Sequence, residues 1–264
     1  MTLAVAGCGG NKVKGDGPPS GSARIPDMPG DAVPKPEPRS RYGNGPVYEV
    51  LGKRYEVMPS SNGYQERGVA SWYGEKFHGN LTSNREVYDM YGMTAAHKTL
   101  PLPTYVEVRN LRNDKSIIVR VNDRGPFVHN RIIDLSYTAA MKLDMVQDGT
   151  SLVEVTAISF EEPQGDRPVR TTMFPEPTSG KSSDAGIHDV FIQVGAFGDR
   201  ANAERRQQEL RSANIENAFI HEERSRERVL YRVRIGPVTD VVQYDSLVDE
   251  LAAIGIHDPY LISE

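Results

Sequence analysis

The sequence predicts a mainly β chain followed by an α+β unit: a small β-barrel over residues 47–160, then a βαββαβ ferredoxin-like module over 189–264. Three observations carry this. Stretches rich in Pro, Gly, Ser and charge at 9–46 and 161–188 interrupt the apolar pattern. Alternation with a period of two dominates between them, and a strand–helix rhythm begins only after 189. Of the 264 residues 38% are hydrophobic, against 24 Gly and 18 Pro, which is thin for one continuous core and points to smaller units joined by disordered linkers.

Taken in order, residues 1–8 end in Leu3-Ala4-Val5-Ala6-Gly7-Cys8, with the chain's only cysteine. This resembles a bacterial lipobox, in which the cysteine is lipidated and becomes the mature N-terminus. No Lys or Arg precedes the short apolar run, so the natural start is expected upstream. Gly9 in place of Asp after the cysteine implies the outer membrane, and residues 9–46 would then be a disordered tether reaching on the order of 100 Å. Val47–Val50 and Lys53–Val57 alternate as a hairpin. Tyr105–Asn110 and Ser116–Val121 are strands joined by the turn Arg112-Asn113-Asp114-Lys115, and Ser151–Phe160 is another strand. Ser136 caps a helix from Tyr137 to Leu143, since Leu135, Ala139, Ala140 and Leu143 share helical spacing. After the second linker come a strand at Val190–Phe197, a helix at Asn202–Arg211 and strands at Glu216–Glu222 and Arg228–Ile235. The stripe Tyr244, Leu247, Val248, Leu251 marks a helix, and Tyr260–Ile262 a last strand.

Net charge is −5, so a basic surface for nucleic acid is not indicated, and no apolar run is long enough for an internal transmembrane helix. The chemistry-bearing residues concentrate between Gly68 and Ser136. Glu86 and Asp89 come first, then His97 in Thr94-Ala95-Ala96-His97, then Asp123 in Asn122-Asp123-Arg124-Gly125-Pro126, with Asp134 in Ile133-Asp134-Leu135-Ser136. Acids and an imidazole near Trp72 and Tyr73 are what a protein needs to hold a sugar and move protons around it. Each has a plainer reading alone. Asp123 can build a turn, Glu86 and Asp89 can be solvated charge, and His97 can be structural. Trp72 and Tyr73 can be core aromatics. A metal is not expected: one histidine beside acids lacks a zinc-type spacing. No cofactor is expected.

The blocks Gly68–Gly74, Thr94–Pro101 and Asn122–Pro126 resemble the signatures of the rare lipoprotein A (RlpA) family, and Gln193–Phe197 with Tyr231–Pro237 resembles a SPOR domain. The resemblance implies a double-psi β-barrel and a septal-ring lytic transglycosylase. Such an enzyme cleaves between N-acetylmuramic acid and N-acetylglucosamine in peptidoglycan, leaving 1,6-anhydro ends. It also implies catalytic roles for Glu86, Asp89, His97 and Asp123, with Asp134 as a secondary candidate, and Arg124 beside them toward substrate. Asp123 would be the proton carrier, His97 a hydrogen-bond partner orienting either Asp123 or the substrate, and Glu86 and Asp89 binders of sugar hydroxyls or electrostatic stabilisers. The implied partners are peptide-stripped (denuded) glycan strands, a membrane reached through a lipid on Cys8, and septal division proteins. The alternative is a non-catalytic, expansin-like wall binder. One departure from the family pattern stands out: Arg85 occupies the place of a glycine, which would serve either a turn with φ > 0 or a close approach of the sugar. In the C-terminal module, alternation puts Ile192, Val194 and Ala196 on one face and Phe191, Gln193 and Phe197 on the other, and Arg232 and Arg234 opposite Tyr231 and Val233. Phe191, Gln193, Phe197, Arg232 and Arg234 are thus the expected glycan-binding face.

Overall fold

A computed structural model describes residues 17–19, 28–128, 130–160, 189–224, 229–257 and 259–263. The lipobox at Cys8 and the linker at 161–188 lie outside the described residues.

The hairpin forms as its alternation requires, β1 (Val47–Val50) antiparallel to β2 (Lys53–Glu56). Next come β3 (Gln65–Tyr73), β4 (Thr94–His97), β5 (Thr104–Asn110), β6 (Ser116–Asp123), β7 (Arg131–Ser136), α1 (Tyr137–Lys142) and β8 (Thr150–Ala157). The six strands after the hairpin close into a barrel in the order β3-β7-β4-β6-β5-β8. Two neighbouring pairs, β3 with β7 and β4 with β6, are parallel, and the other four are antiparallel. Alternate residues point inward: Val106, Val108, Ile117, Val119, Val121, Ile133, Leu135, Val153 and Val155 fill the interior. Each such side chain contributes about 1.5–3 kcal/mol on burial. Ser136 caps α1 as expected, accepting from the Ala139 N–H.

The expected tether over 9–46 is not free along its described C-terminal part. Ala32 N–H donates to the Ile118 carbonyl at 3.0 Å, and Asp31 accepts from the Ile118 N–H and from Lys142. The Glu37 carboxylate takes Arg120 and the Tyr105 hydroxyl, Arg39 donates to the Met58 carbonyl, and Asn44 exchanges hydrogen bonds with Leu102. Residues 31–44 therefore form a strap on the barrel. Apolar periodicity misses it because it is neither helix nor strand; it is held by single polar contacts.

The second unit is β9 (Val190–Phe197), α2 (Arg200–Ser212), β10 (Ala218–Arg224), β11 (Val229–Ile235), α3 (Val241–Ala253) and β12 (Tyr260–Ser263), the expected βαββαβ order. Its sheet runs β10-β11-β9-β12. Ala218, Ile235, Ile192 and Leu261 are lateral neighbours and buried, and Ala203, Leu210 and Leu251 of the helices pack over them. Asp199 and Asp240 cap the two helices.

Candidate active site

One lateral row across the barrel organises the site. Ser71 on β3 lies opposite Asp134 on β7, Asp134 opposite Ala96 on β4, and Ala96 opposite Asp123 on β6. Lateral partners share a face, so the two carboxylates flank the small Ala96 with their Cα atoms about 10 Å apart, twice the strand spacing. Strict alternation along β6 would send Asp123 into the interior with Val119 and Val121. It does not go there, because the register passes from Ala95–Val121 to Ala96–Asp123 and leaves Asn122 as an extra residue. This bulge turns Asp123 to the outer face. There Ala96 packs with Tyr73, Tyr88 and Tyr137. Gly125 adopts φ +143, open to glycine, and a Cβ built on it would sit 3.7 Å from the Ala96 Cβ and 4.0 Å from Asp134 Oδ2.

Asp123 is held through a single oxygen. Its Oδ1 accepts from the Ser83 N–H (2.7 Å), the Ser83 hydroxyl (2.6 Å) and the Arg124 N–H (2.7 Å), leaving Oδ2 without a protein donor among the described residues. Asp134 accepts from the Ser71 hydroxyl. The Tyr73 hydroxyl lies near both acids, and burial above all, then Tyr88, Asp123 and Asp134, holds its pKa well above the ordinary phenol. It stays a neutral O–H beneath two acids. Ser83, Ser71 and Ala96 were not candidates from sequence. Only the Ser-before-turn composition of Thr82-Ser83-Asn84 hinted at the first.

The other expected catalytic residues take supporting positions. Glu86 accepts from Arg120 Nη1 (2.7 Å) and from the amide of Asn122 (2.8 Å). Burial pushes its pKa up, but the hydrogen bonds and charge from Arg120, Asn122 and Asn84 outweigh that and leave it lowered. Glu86 thus grips the bulge residue beside Asp123. Asp89 is exposed and accepts from the Tyr91 N–H, building a turn with His78 alongside.

His97 is not brought to the carboxylates. It pairs laterally with Ile133, an interior position, and is 2% exposed. Its Nδ1 accepts the Thr99 and Leu100 N–H groups, and its Nε2 faces the Tyr64 hydroxyl at 2.8 Å, which itself donates to Glu66. Every ring position is used, and the ring must be the neutral Nε2–H tautomer. Burial, then Arg124 and Lys98, drives its pKa down to about 3. Arg124 is likewise committed, its guanidinium donating to the carbonyls of Gly43, His97 and Leu100 and to the Asn44 side chain, with Tyr48 against its face. It clamps strap to barrel. Tyr73 is buried and stacked on Tyr88 at 4.1 Å, and half-buried Trp72 packs on Tyr137 at 5.5 Å. Tyr73 shares the outer face of Ser71, whereas Trp72 is the lateral partner of interior Leu135.

In the second unit a row of four, Phe219, Arg234, Gln193 and Tyr260, lies on the face opposite the helices. Gln193 donates to the Tyr260 hydroxyl at 2.8 Å, and Phe191 meets Phe219 edge-on at 5.5 Å. Arg232, ion-paired with Glu223, shares the face with His221. Phe197 does not. An extra residue at Val194 shifts the register between Arg234–Gln193 and Val233–Gly195, so Phe197 falls beside Tyr231 on the core side, its ring over Gly195. Phe219, His221 and Tyr260 were not legible as members of this face, because nothing in one strand's sequence names its lateral partners.

A closed six-stranded barrel with an outward carboxylate row, followed by a βαββαβ sheet presenting aromatic, amide and guanidinium groups, defines a two-module class: an acid–base barrel coupled to a polymer-binding sheet. A family model described as "Lytic transglycolase" matches residues 65–155, and one described as "SPOR domain" matches residues 189–263. The chain is 37% identical over 289 residues to the "Endolytic peptidoglycan transglycosylase RlpA" of Pseudomonas aeruginosa, covering 94% of this chain and 84% of that one. It is 49% identical over 174 residues to the protein of the same name from Vibrio cholerae, covering 64% and 65%. The crystal structure of the RlpA SPOR domain from Pseudomonas aeruginosa matches 28% of this chain and 96% of that one, at 26% identity and a TM-score of 0.26. The chain belongs to the RlpA family.

Proposed function

We propose that this protein is an endolytic peptidoglycan transglycosylase whose barrel cuts the bond between N-acetylmuramic acid and N-acetylglucosamine and whose C-terminal module holds the glycan. The row Ser71–Asp134–Ala96–Asp123 is the single observation that carries the reading, and the activity named for its relatives supports it. The two acids flank the small Ala96, with Gly125 alongside. In the cut, the muramoyl C6 oxygen forms a bond to its own C1 as the C1–O4 bond breaks. One proton leaves the C6 hydroxyl and one reaches the departing O4, and no water is consumed. Asp123, with Oδ2 left for substrate, carries that proton exchange; Asp134 stabilises the positive charge that develops at C1. Glu86 positions Asp123 through Asn122, and His97 braces the strand end. A lipid on Cys8 would tether the enzyme to the outer membrane, and its site of action would be stripped septal wall.

The test is mass spectrometry of peptide-free glycan strands after incubation with the full chain and with Asp123→Asn. Anhydro-ended fragments from the unaltered protein, falling at least about 100-fold in the variant, are expected. Hydrolysed reducing ends would mean that water attacks, and binding without any product would leave a wall-binding protein.

A further inference from the structure

Val69 on β3, its lateral partner Leu152 on β8 and the adjoining Leu111 lie outside the cluster that fills the barrel, yet all three are 0–1% exposed. They share one apolar cluster with Tyr244, Leu247 and Val248 of α3 and Leu261 of β12, so the C-terminal module is what covers them. At β7 the Arg131 guanidinium grips Asp245 of α3 through both Nη atoms, with three contacts of 3.1 Å. The Arg131 side chain is only 14% exposed there. The charge of Arg112 on the barrel also acts on Asp240, the cap of the same helix. Domains of one chain move independently by default, and buried apolar surface with a bidentate ion pair is what holds them together.

The docked modules leave a cleft of about 530 Å³ between them, a size typical of ligand sites. Gln65, Glu66 and Arg67 of β3 and Glu154 of β8 line one side, and His257 and Tyr260 the other. Tyr260 is 51% exposed and ends the row Phe219, Arg234, Gln193, Tyr260. A polymer lying along that row runs off its end into the cleft. An amide, two carboxylates, a guanidinium and an aromatic ring meet there. Such groups hydrogen-bond hydroxyls and acetamides and stack on the flat face of a pyranose.

We propose that the barrel carries a docking surface for the chain's own C-terminal module, and that docking completes a saccharide-binding cleft neither module has alone. This rests on the reading of the C-terminal sheet as the glycan holder. The ligand is a strand of N-acetylated hexosamines that lies on the sheet and continues past Tyr260 onto Gln65 and Glu66. Gln65 and Ser71 share the outer face of β3 about 20 Å apart, so docking also sets the distance from the held strand to the carboxylate row.

The test uses the full-length Asp123→Asn protein, alone, with Asp245→Arg, and with the charge swap Arg131→Asp and Asp245→Arg together. Backbone NMR relaxation should give the barrel and the C-terminal module one common tumbling time, two separate times in Asp245→Arg, and one again in the swap. Titration with a peptide-free muramoyl hexasaccharide should shift the Gln65 side-chain amide and the Phe219 ring with one shared Kd. In Asp245→Arg the Gln65 signal should stay silent while Phe219 reports binding about tenfold weaker, and the swap should restore both. Binding that persists at Phe219 shows that the variant is folded. Separate tumbling in the parent protein, a silent Gln65, or a Gln65 response that survives Asp245→Arg would overturn the inference. Silence at Phe219 as well would remove the C-terminal sheet as glycan holder, and the inference with it. If the protein with Asp123 intact makes no anhydro ends while Gln65 and Phe219 respond together, the cleft stands and the proposed reaction does not.

Discussion

Acid should destabilise the barrel through His97 before it touches any carboxylate. Burial above all, then the charges of Arg124 and Lys98, holds the ring neutral in the fold and lowers its pKa from 6.5 to about 3, and a proton on Nδ1 would also face the N–H groups of Thr99 and Leu100. Between those values the unfolded chain binds the proton and the folded chain does not, so stability is full above about pH 6.5 and falls as pH drops toward 3. At pH 4.5 two of those units have been crossed, a loss of about 2.7 kcal/mol. Glu37, Glu86 and Glu154 have lowered pKa values and their contributions fade only below their ordinary value of 4.5, so the window from pH 6.5 to 4.5 isolates the histidine. Trp72 is the chain's only tryptophan and lies in the barrel, so its fluorescence in urea reports that unit. His97→Asn keeps an acceptor for the two N–H groups but loses the Tyr64 contact. It should cost about 1–2 kcal/mol at pH 7 and remove most of the difference between pH 7 and 4.5. An unchanged pH dependence in the variant, or a ring that titrates near 6.5 by NMR, would refute this account and return His97 to the list of proton carriers.

Other outcomes follow from the same contacts. Ser83→Ala removes one of three donors to Asp123 and should lower kcat about tenfold while leaving the unfolding midpoint within a few degrees, as read by product release and calorimetry. Deleting residues 1–46 should destabilise the barrel by about 2–4 kcal/mol relative to deleting 1–27, because the strap's bonds to Ile118, Arg120 and Leu102 go with it; equal urea midpoints would restore the free tether. Phe197→Ala should cost the C-terminal module about 2–3 kcal/mol, seen as faster amide exchange in its core, and leave glycan pull-down intact below its unfolding temperature.

Period-two and helical apolar patterns were enough for most of the architecture. β5, β6, β8, the capped helix α1 and the whole βαββαβ order could be read because each depends on local alternation, capping and turn chemistry. Short β4 and β7 could not be recognised as barrel strands: TAAH and RIIDLS carry no alternation that distinguishes them, and their role comes from pairing with distant strands. The glycine expected in place of Arg85 left a left-handed backbone and a close approach of the sugar both open, and the fold shows the first, φ +73. The candidate acids were named from sequence, but their division of labour was not. Asp123 reaches the outer face only because Asn122 bulges, and Phe197 leaves the binding face only because of the irregularity at Val194. A bulge inverts every side chain beyond it, and nothing within the strand marks where it falls. His97 and Arg124 looked free for chemistry because their partners are backbone groups far along the chain, which only the folded chain brings within hydrogen-bond reach.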